Sequence, residues 1–315
     1  MKFGFKSAVA AIAASCALLT AGCSGGSGED SAESQGSHER VAALGLGDAD
    51  TLLALGLTPV TVAPWGTEGD IDPSGVGPWS KDLLEGAQPT PIYNTAQGFT
   101  SEMLEKIAGT KPMKIVAVNQ AVEPSAKEEL EKIAPTTIKP DEYKNWQIPW
   151  DVQVTTIAGA VDKSDEGDKL IEKTKQAFQD FRESHPDLQG KTAAAVMPYD
   201  GKIGLYTTGD GRGQFIADLG FEIPKKLEGD GDEFFRDISP ENYAELNGVD
   251  YLFVLDYNGA VEQLKNDPVF QNLDVVREGK VRYLDTDTAN AMSMPNPVTI
   301  PWAIDKFEAA VKASS

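Results

Sequence analysis

One stretch constrains the fold more than any other: SDEGDKLIEKTKQAFQDFRESHP, from Ser164 to Pro186. Leu170, Thr174, Ala177, Phe178 and Phe181 recur at helical spacing and make a single apolar stripe, with charged residues around the rest of the circumference. Ser164 is placed to cap the start, and Pro186 follows the end. About twenty residues at 1.5 Å rise each give a rod of roughly 30 Å, long enough to cross a whole lobe. On both sides of it, short apolar runs alternate with helical ones. That alternation predicts mostly parallel sheets with helices on their faces.

Before the rod, strands are expected in RVAALGLG, TPVTVAPW, TPIY, MKIVAVN and PTTIK. Helices are expected in DADTLLALG (Asp48 as cap, Gly56 as stop), around Lys81–Glu85, in TSEMLEKIAG (Thr100 or Ser101 as cap) and in SAKEELEKI. After the rod come strands in KTAAAVMPY, VDYLFVLDY and KVRYLD. Helices there fall in GRGQFIADLG, SPENYAELN and GAVEQLKND, and a last one is opened by Pro301. The expected fold class is α/β: two Rossmann-like lobes, residues 40–162 and 187–315, joined by a single long helix over 163–186, with a ligand cleft between the lobes.

The N-terminus speaks to location. Lys2 and Lys6 precede SAVAAIAASCALLT, an apolar run too short to span a bilayer comfortably. It ends in LTAGC, similar to a bacterial lipoprotein signal, so residues 1–22 read as a leader and Cys23 as a lipidated first residue. An ordinary secretory signal is the alternative. SGGSGEDSAESQGS follows, and residues 23–39 read as a flexible tether. Loss of the leader would remove Cys16 and commit Cys23 to lipid, which leaves no thiol for chemistry. It would also move the net charge from −21 to −23. So acidic a chain is a poor partner for nucleic acid, and any anionic ligand would need local cations.

YTTGDGRGQFIADLGFEIP, Tyr206 to Pro224, poses the sharpest local question. Gly209, Gly211 and Gly213 surround Arg212 just before a helical pattern. A dinucleotide loop would need glycine where Gln214 stands, and no Gly-Lys-Ser/Thr of a phosphate loop is present. What remains is an arginine at a helix N-terminus, suited to an anion; a solvated surface turn is the plainer reading. Four of the five tryptophans, Trp65, Trp79, Trp146 and Trp150, fall in segments read as loops or loop–helix junctions of the first half. Each can line the cleft or anchor its own loop. Tyr206 and Tyr257 end strands in the second half and can face them. Asn94 follows a strand and can donate hydrogen bonds or simply make a turn. Met292 and Met294 lie at another strand end, where thioethers suit an adaptable pocket or plain packing. Trp302 reads as core.

LGLGDADTLLALGLTPV, LEKIAGTKPMKIVAV, TTGDGRGQFIADLGFEIP and SPENYAELNGVDYLFVL, in this order and spacing, resemble the iron-siderophore substrate-binding lipoproteins of ABC importers. The likeness runs from about Val41 to Val311 and is nearest to the ferric-citrate-like and ferric-hydroxamate-like members. The resemblance implies a lipid-anchored monomer on the extracytoplasmic face of the membrane, no resident cofactor or protein-bound metal, and a ferric siderophore held in the cleft. The candidates already placed at loops and strand ends would then line that cleft: Trp65, Trp79, Asn94, Trp146, Trp150, Tyr206, Arg212, Tyr257 and Met292. The resemblance also implies that Glu105 and Glu241, one per half, dock on a dimeric ABC permease, with Glu102 as substitute for Glu105. Taken alone, such helix glutamates are solvated charges.

Two histidines, His38 in the tether and His185 at the end of the rod, disfavour direct zinc or manganese capture. Haem or cobalamin would also suit an aromatic cleft. An extracytoplasmic α/β enzyme is the rival from another class. The chain has no nucleophile elbow and no histidine placed as a base, so the reading is not an enzyme, although 49 carboxylates leave acid–acid pairs open.

Overall fold

The computed structural model describes residues 39–66, 68–69, 71–93, 98–229, 233–257 and 259–312. The leader, Cys23, the tether up to residue 38 and Asn94 lie outside the described residues.

Five strands form the first sheet: β1 (Val41–Ala43), β2 (Thr61–Val62), β3 (Thr90–Pro91), β4 (Lys114–Ala117) and β5 (Thr136–Ile138). All are parallel, in the order β3-β2-β1-β4-β5. β1 and β2 are buried throughout, as expected of short apolar strands covered on both faces. The helices of this lobe are α1 (Asp48–Ala54), α2 (Ser101–Gly109), α3 (Pro124–Glu131) and α4 (Trp150–Ala160), with a 3₁₀ turn at Lys81–Leu84. Thr100 caps α2 through its side chain. The rod is α5 (Ser164–Ser184), 21 residues long. Lys163, not Ser164, occupies its N-cap position, without a side-chain bond.

The second sheet holds β6 (Ala193–Tyr199), β7 (Lys202–Tyr206), β8 (Phe235–Ile238), β9 (Tyr251–Leu255) and β10 (Val281–Leu284), in the order β10-β9-β6-β7-β8. Its helices are α6 (Gly211–Asp218), α7 (Lys225–Glu228), α8 (Ala260–Lys265), α9 (Pro268–Gln271), α10 (Asp274–Arg277), α11 (Thr286–Ser293) and α12 (Thr299–Lys312). A 3₁₀ helix spans Pro240–Leu246.

Two features depart from the sequence-based expectation. β7 runs antiparallel to both β6 and β8. Only Asp200 and Gly201 separate β6 from β7, and both have positive φ, 46° and 73°. That is a tight hairpin turn with no room for a crossover helix. The second departure is a set of elements to which the sequence pattern assigns nothing: α4, α7, α9, α10 and α11, and the strand β8.

The lobes and the rod form one compact unit because an apolar seam runs through them. Trp150 on α4 lies 6.5 Å from Phe178 on α5, and Phe178 lies 5.8 Å from Phe215 on α6. Phe215 in turn lies 5.8 Å from Phe307 on α12. Ile171, Thr174, Phe178 and Phe181 are the rod's buried stripe. Each fully buried ring or branched chain contributes roughly 1.5–3 kcal/mol. Trp79 of the first lobe also meets Trp302 of α12 edge-on at 5.6 Å, so the lobes touch directly as well as through the rod.

Phe178 touches helices of both lobes. Phe178→Ala is expected to lower unfolding stability by about 3–5 kcal/mol, read by denaturant titration. A loss below about 1 kcal/mol would mean that the seam does not hold the lobes together.

Candidate ligand-binding cleft

The cleft is built outward from the ends of the first-lobe strands. β1 is followed by Gly45–Gly47 and then α1, whose first turn carries Asp48 and Asp50. Asp48 was expected to cap α1, but Gly47 holds that position and the Asp48 carboxylate turns inward instead. It accepts the backbone N–H groups of Gly45 (3.1 Å), Val118 (2.8 Å) and Asn119 (3.3 Å), tying the exits of β1 and β4 together. Burial pushes its pKa up to about 6, against the pull of those three donors. Asp50 is also buried. It accepts hydrogen bonds from Trp79 Nε1 (3.1 Å), Ser80 Oγ (2.5 Å) and, across from the second lobe, Asn296 Nδ2 (3.1 Å). Desolvation raises its pKa too, with the three donors opposing.

In the second lobe the glycine-rich stretch answers to packing. A Cβ on Gly213 would stand 1.9 Å from the carbonyl oxygen of Thr207, so only glycine lets α6 lie this close to the end of β7. A Cβ on Gly211 would stand 2.6 Å from Pro295. Nor is the helix start open to a visiting anion. Asp210 caps α6, its Oδ1 accepting the backbone N–H of Arg212 at 2.8 Å. The same carboxylate takes the guanidinium, Nε to Oδ1 at 2.7 Å and Nη2 to Oδ2 at 3.3 Å. Arg212 is 8% exposed. Its Cζ lies 3.8 Å from the centroid of the Tyr206 ring, and Nη1 donates to the Tyr257 hydroxyl at 3.3 Å. Burial works against the charged guanidinium, but Asp210 together with Tyr257 and Tyr206 outweighs it and raises the pKa further.

Two cavities between the lobes meet at Trp65. One, of about 440 Å³, is lined by Asp50, Trp79 and Lys81 from the first lobe and by Tyr257, Asp287 and Met294 from the second. The other, of about 310 Å³, is lined by Trp146, Asn119, Arg212, Phe234 and Pro295. Both volumes are those of small-molecule sites. Trp146 holds a left-handed backbone, φ 67°, which a bulky residue adopts only when its surroundings impose it.

The periplasmic binding protein family model matches residues 41–288. The chain belongs to that family. Its members are extracytoplasmic substrate-binding proteins, not enzymes. Among relatives, the Fe(3+)-citrate-binding protein YfmC of Bacillus subtilis is 29% identical, over 80% of this chain and 75% of the relative. The solved structure of PiaA from Streptococcus pneumoniae in complex with ferrichrome is 26% identical, with a TM-score of 0.73 over 87% of this chain and 92% of that one. A periplasmic solute binding protein from Mycobacterium smegmatis is 27% identical, with a TM-score of 0.75 over 86% of this chain and 91% of the other.

Trp65, Trp79, Trp146, Arg212 and Tyr257 therefore come together around one cleft. Three other expected ligand residues do not. Trp150 opens α4, is 5% exposed and packs on Phe178, facing a separate groove along the rod. Met292 is fully buried on α11 in the second-lobe core, and its neighbour Met294 lines the cavity instead. Tyr206 is buried beneath Arg212 as its support rather than as a wall. Arg212 is a paired charge, not the free cation expected. Glu105 and Glu241 are exposed, one on α2 and one on the 3₁₀ helix before β9. Sequence reasoning passed over Asp50, Asn296 and Phe234, the last 37% exposed at the cleft; the unusual Asp-Ala-Asp opening of α1 was the one available signal.

Asp48 gives the cleft floor a pH signature. Its folded pKa lies above the unfolded value of 3.8, so the folded state binds the proton more tightly. Its charge therefore costs stability above about pH 6, and that cost is relieved as pH falls through 6 toward 4. The stability of the wild type relative to Asp48→Asn is expected to rise by roughly 2–3 kcal/mol between pH 7.5 and 4.5. Parallel pH profiles in urea unfolding would refute it.

Proposed function

We propose that this chain captures a ferric siderophore in the interlobe cleft and delivers it to an ABC-type permease. The observation that carries the reading is the pair of cavities that share Trp65 as a wall and are faced by Trp79, Trp146 and Phe234. A hexadentate chelator supplies every donor to its iron, so a receptor for the chelate needs apolar walls and a few polar contacts, and no metal ligands of its own. The relatives support this: one is named for ferric citrate, and another is seen with ferrichrome. Capture of haem through a tyrosinate is less well served, because burial raises the pKa of Tyr257 and disfavours the phenolate.

Cys23, in the LTAGC context, would carry the lipid anchor that keeps a monomeric receptor at the extracytoplasmic face of the membrane. Exposed Glu105 and Glu241, one in each lobe, would meet basic residues of a permease dimer, where such charges act more on encounter than on affinity.

Ferric siderophores absorb where indoles emit. Titration with a ferric trihydroxamate should quench tryptophan fluorescence at submicromolar concentration without product formation, and Trp65→Ala should weaken binding about ten-fold or more. Absence of quenching by hydroxamate, catecholate and citrate complexes alike would overturn the reading. For docking, Glu105→Ala combined with Glu241→Ala should leave the quenching titration unchanged and abolish uptake of labelled iron by cells. Loss of ligand binding in that double variant would remove both glutamates from the docking role.

A further inference from the structure

The charges lining the cleft select among ferric complexes. In the two cavities the described cations are Lys81 and Arg212, and each is held by a carboxylate: Lys81 Nζ by Asp72 Oδ2 at 2.5 Å, Arg212 by Asp210. Two further carboxylates line the larger cavity. Asp287 stands exposed at the start of α11, and Asp50 lies beneath the floor with neutral donors only. Carboxylates thus outnumber cations around the ligand space, and neither cation is left uncompensated. The residues of 39–312 outside the described set include no lysine or arginine, so none of them can reverse this balance. Beyond the cleft the whole chain carries a net charge of −21, which repels anions at long range.

Ferric complexes differ in charge by their chelating groups. Each hydroxamate brings one negative charge, and three of them cancel the charge of Fe3+. Catecholates bring two each and overshoot it, as do the carboxylates and alkoxides of citrate. An anionic complex entering here would have to break the Asp210–Arg212 pair or stand unpaired beside carboxylates in a partly desolvated site. Both are costly where the dielectric is low. A neutral complex pays neither cost, and one with a pendant ammonium gains from exposed Asp287.

We infer that the ligand is an uncharged or cationic ferric hydroxamate, and that Asp210 is the specificity-determining residue, neutralising the guanidinium that would otherwise recruit an anion. The inference rests on the siderophore reading above and goes against the relative named for ferric citrate. The guanidinium already donates to the neutral Tyr257 hydroxyl and lines the cleft, so it can donate likewise to a hydroxamate oxygen without any transfer of charge.

Tryptophan quenching of the full chain by ferrichrome (uncharged), ferrioxamine B (a pendant ammonium) and ferric citrate (anionic) tests this directly. Both hydroxamate complexes should bind at least about ten-fold more tightly than ferric citrate. Asp210→Asn retains a side-chain cap for α6 while removing the charge, and should raise the ratio of ferric citrate to ferrichrome affinity about ten-fold. Asp287→Asn, at an exposed position, should raise it by about two- to three-fold even if the first variant folds poorly. Tightest binding of ferric citrate by the wild type, or a ratio unmoved by both variants, would overturn the charge inference and leave the siderophore reading standing. No quenching by any of the three complexes would overturn both.

Discussion

Everything in this molecule that matters for ligand capture depends on the apolar seam along α5. A stripe of Ile171, Thr174, Phe178 and Phe181 would be an exposed liability on an isolated helix. Here Trp150 of the first lobe covers it from one side, and Phe215 and Phe307 of the second cover it from the other. Burying that stripe sets the distance between two sheets that share no hydrogen-bonded strand. The gap between their facing loops is the residue of that packing, and the cavities at Trp65 occupy it. Because the seam is continuous core rather than a polar hinge, wide separation of the lobes would expose aromatic surface at a cost in free energy.

Polar chemistry refines what the seam establishes. Asp48 joins the exits of β1 and β4 by accepting three backbone N–H groups, and two residues later Asp50 reaches across to Asn296 of the second lobe. The carboxylates of one short helix thereby shape the floor of the cleft and stitch the lobes at a second point. On the opposite wall Asp210 plays the complementary part, capping α6 and holding Arg212 flat on Tyr206. The cleft is consequently aromatic and polar, yet it offers no unpaired positive charge among its described residues.

Much of the architecture was legible in the chain itself. The 3.6-residue stripe from 164 to 184, the apolar runs of β1, β4, β6 and β9, and the Thr100 cap are local signals, and local physics was enough to read them. The β6–β7 hairpin was legible too, since Asp200-Gly201 is the dipeptide that a two-residue hairpin favours, but the surrounding βα rhythm masked it. α4 escaped because polar Gln153 sits in its buried stripe of Trp150, Val154, Ile157 and Ala158, and because β-branched Val152, Val154, Thr155 and Thr156 weaken the local helix signal. With α4 went the correct reading of Trp150. α11 escaped in the same region as Met292, whose burial follows from that helix.

The sequence by itself determined that two α/β halves flank a stiff rod, that aromatic residues crowd the loops, and that Arg212 stands at a helix start among glycines. These are properties of neighbours along the chain, settled by spacing and by the conformational limits of each residue type. Only the tertiary structure decided that Trp65 and Trp146 share a cavity while Trp150 does not, that the glycines serve close approach to Thr207 and Pro295, and that Arg212 is neutralised. The reason is that burial and charge compensation are set by side chains far apart in sequence, as with Asp50 and Asn296. Their meeting depends on how the packed seam orients the lobes, which no local pattern encodes.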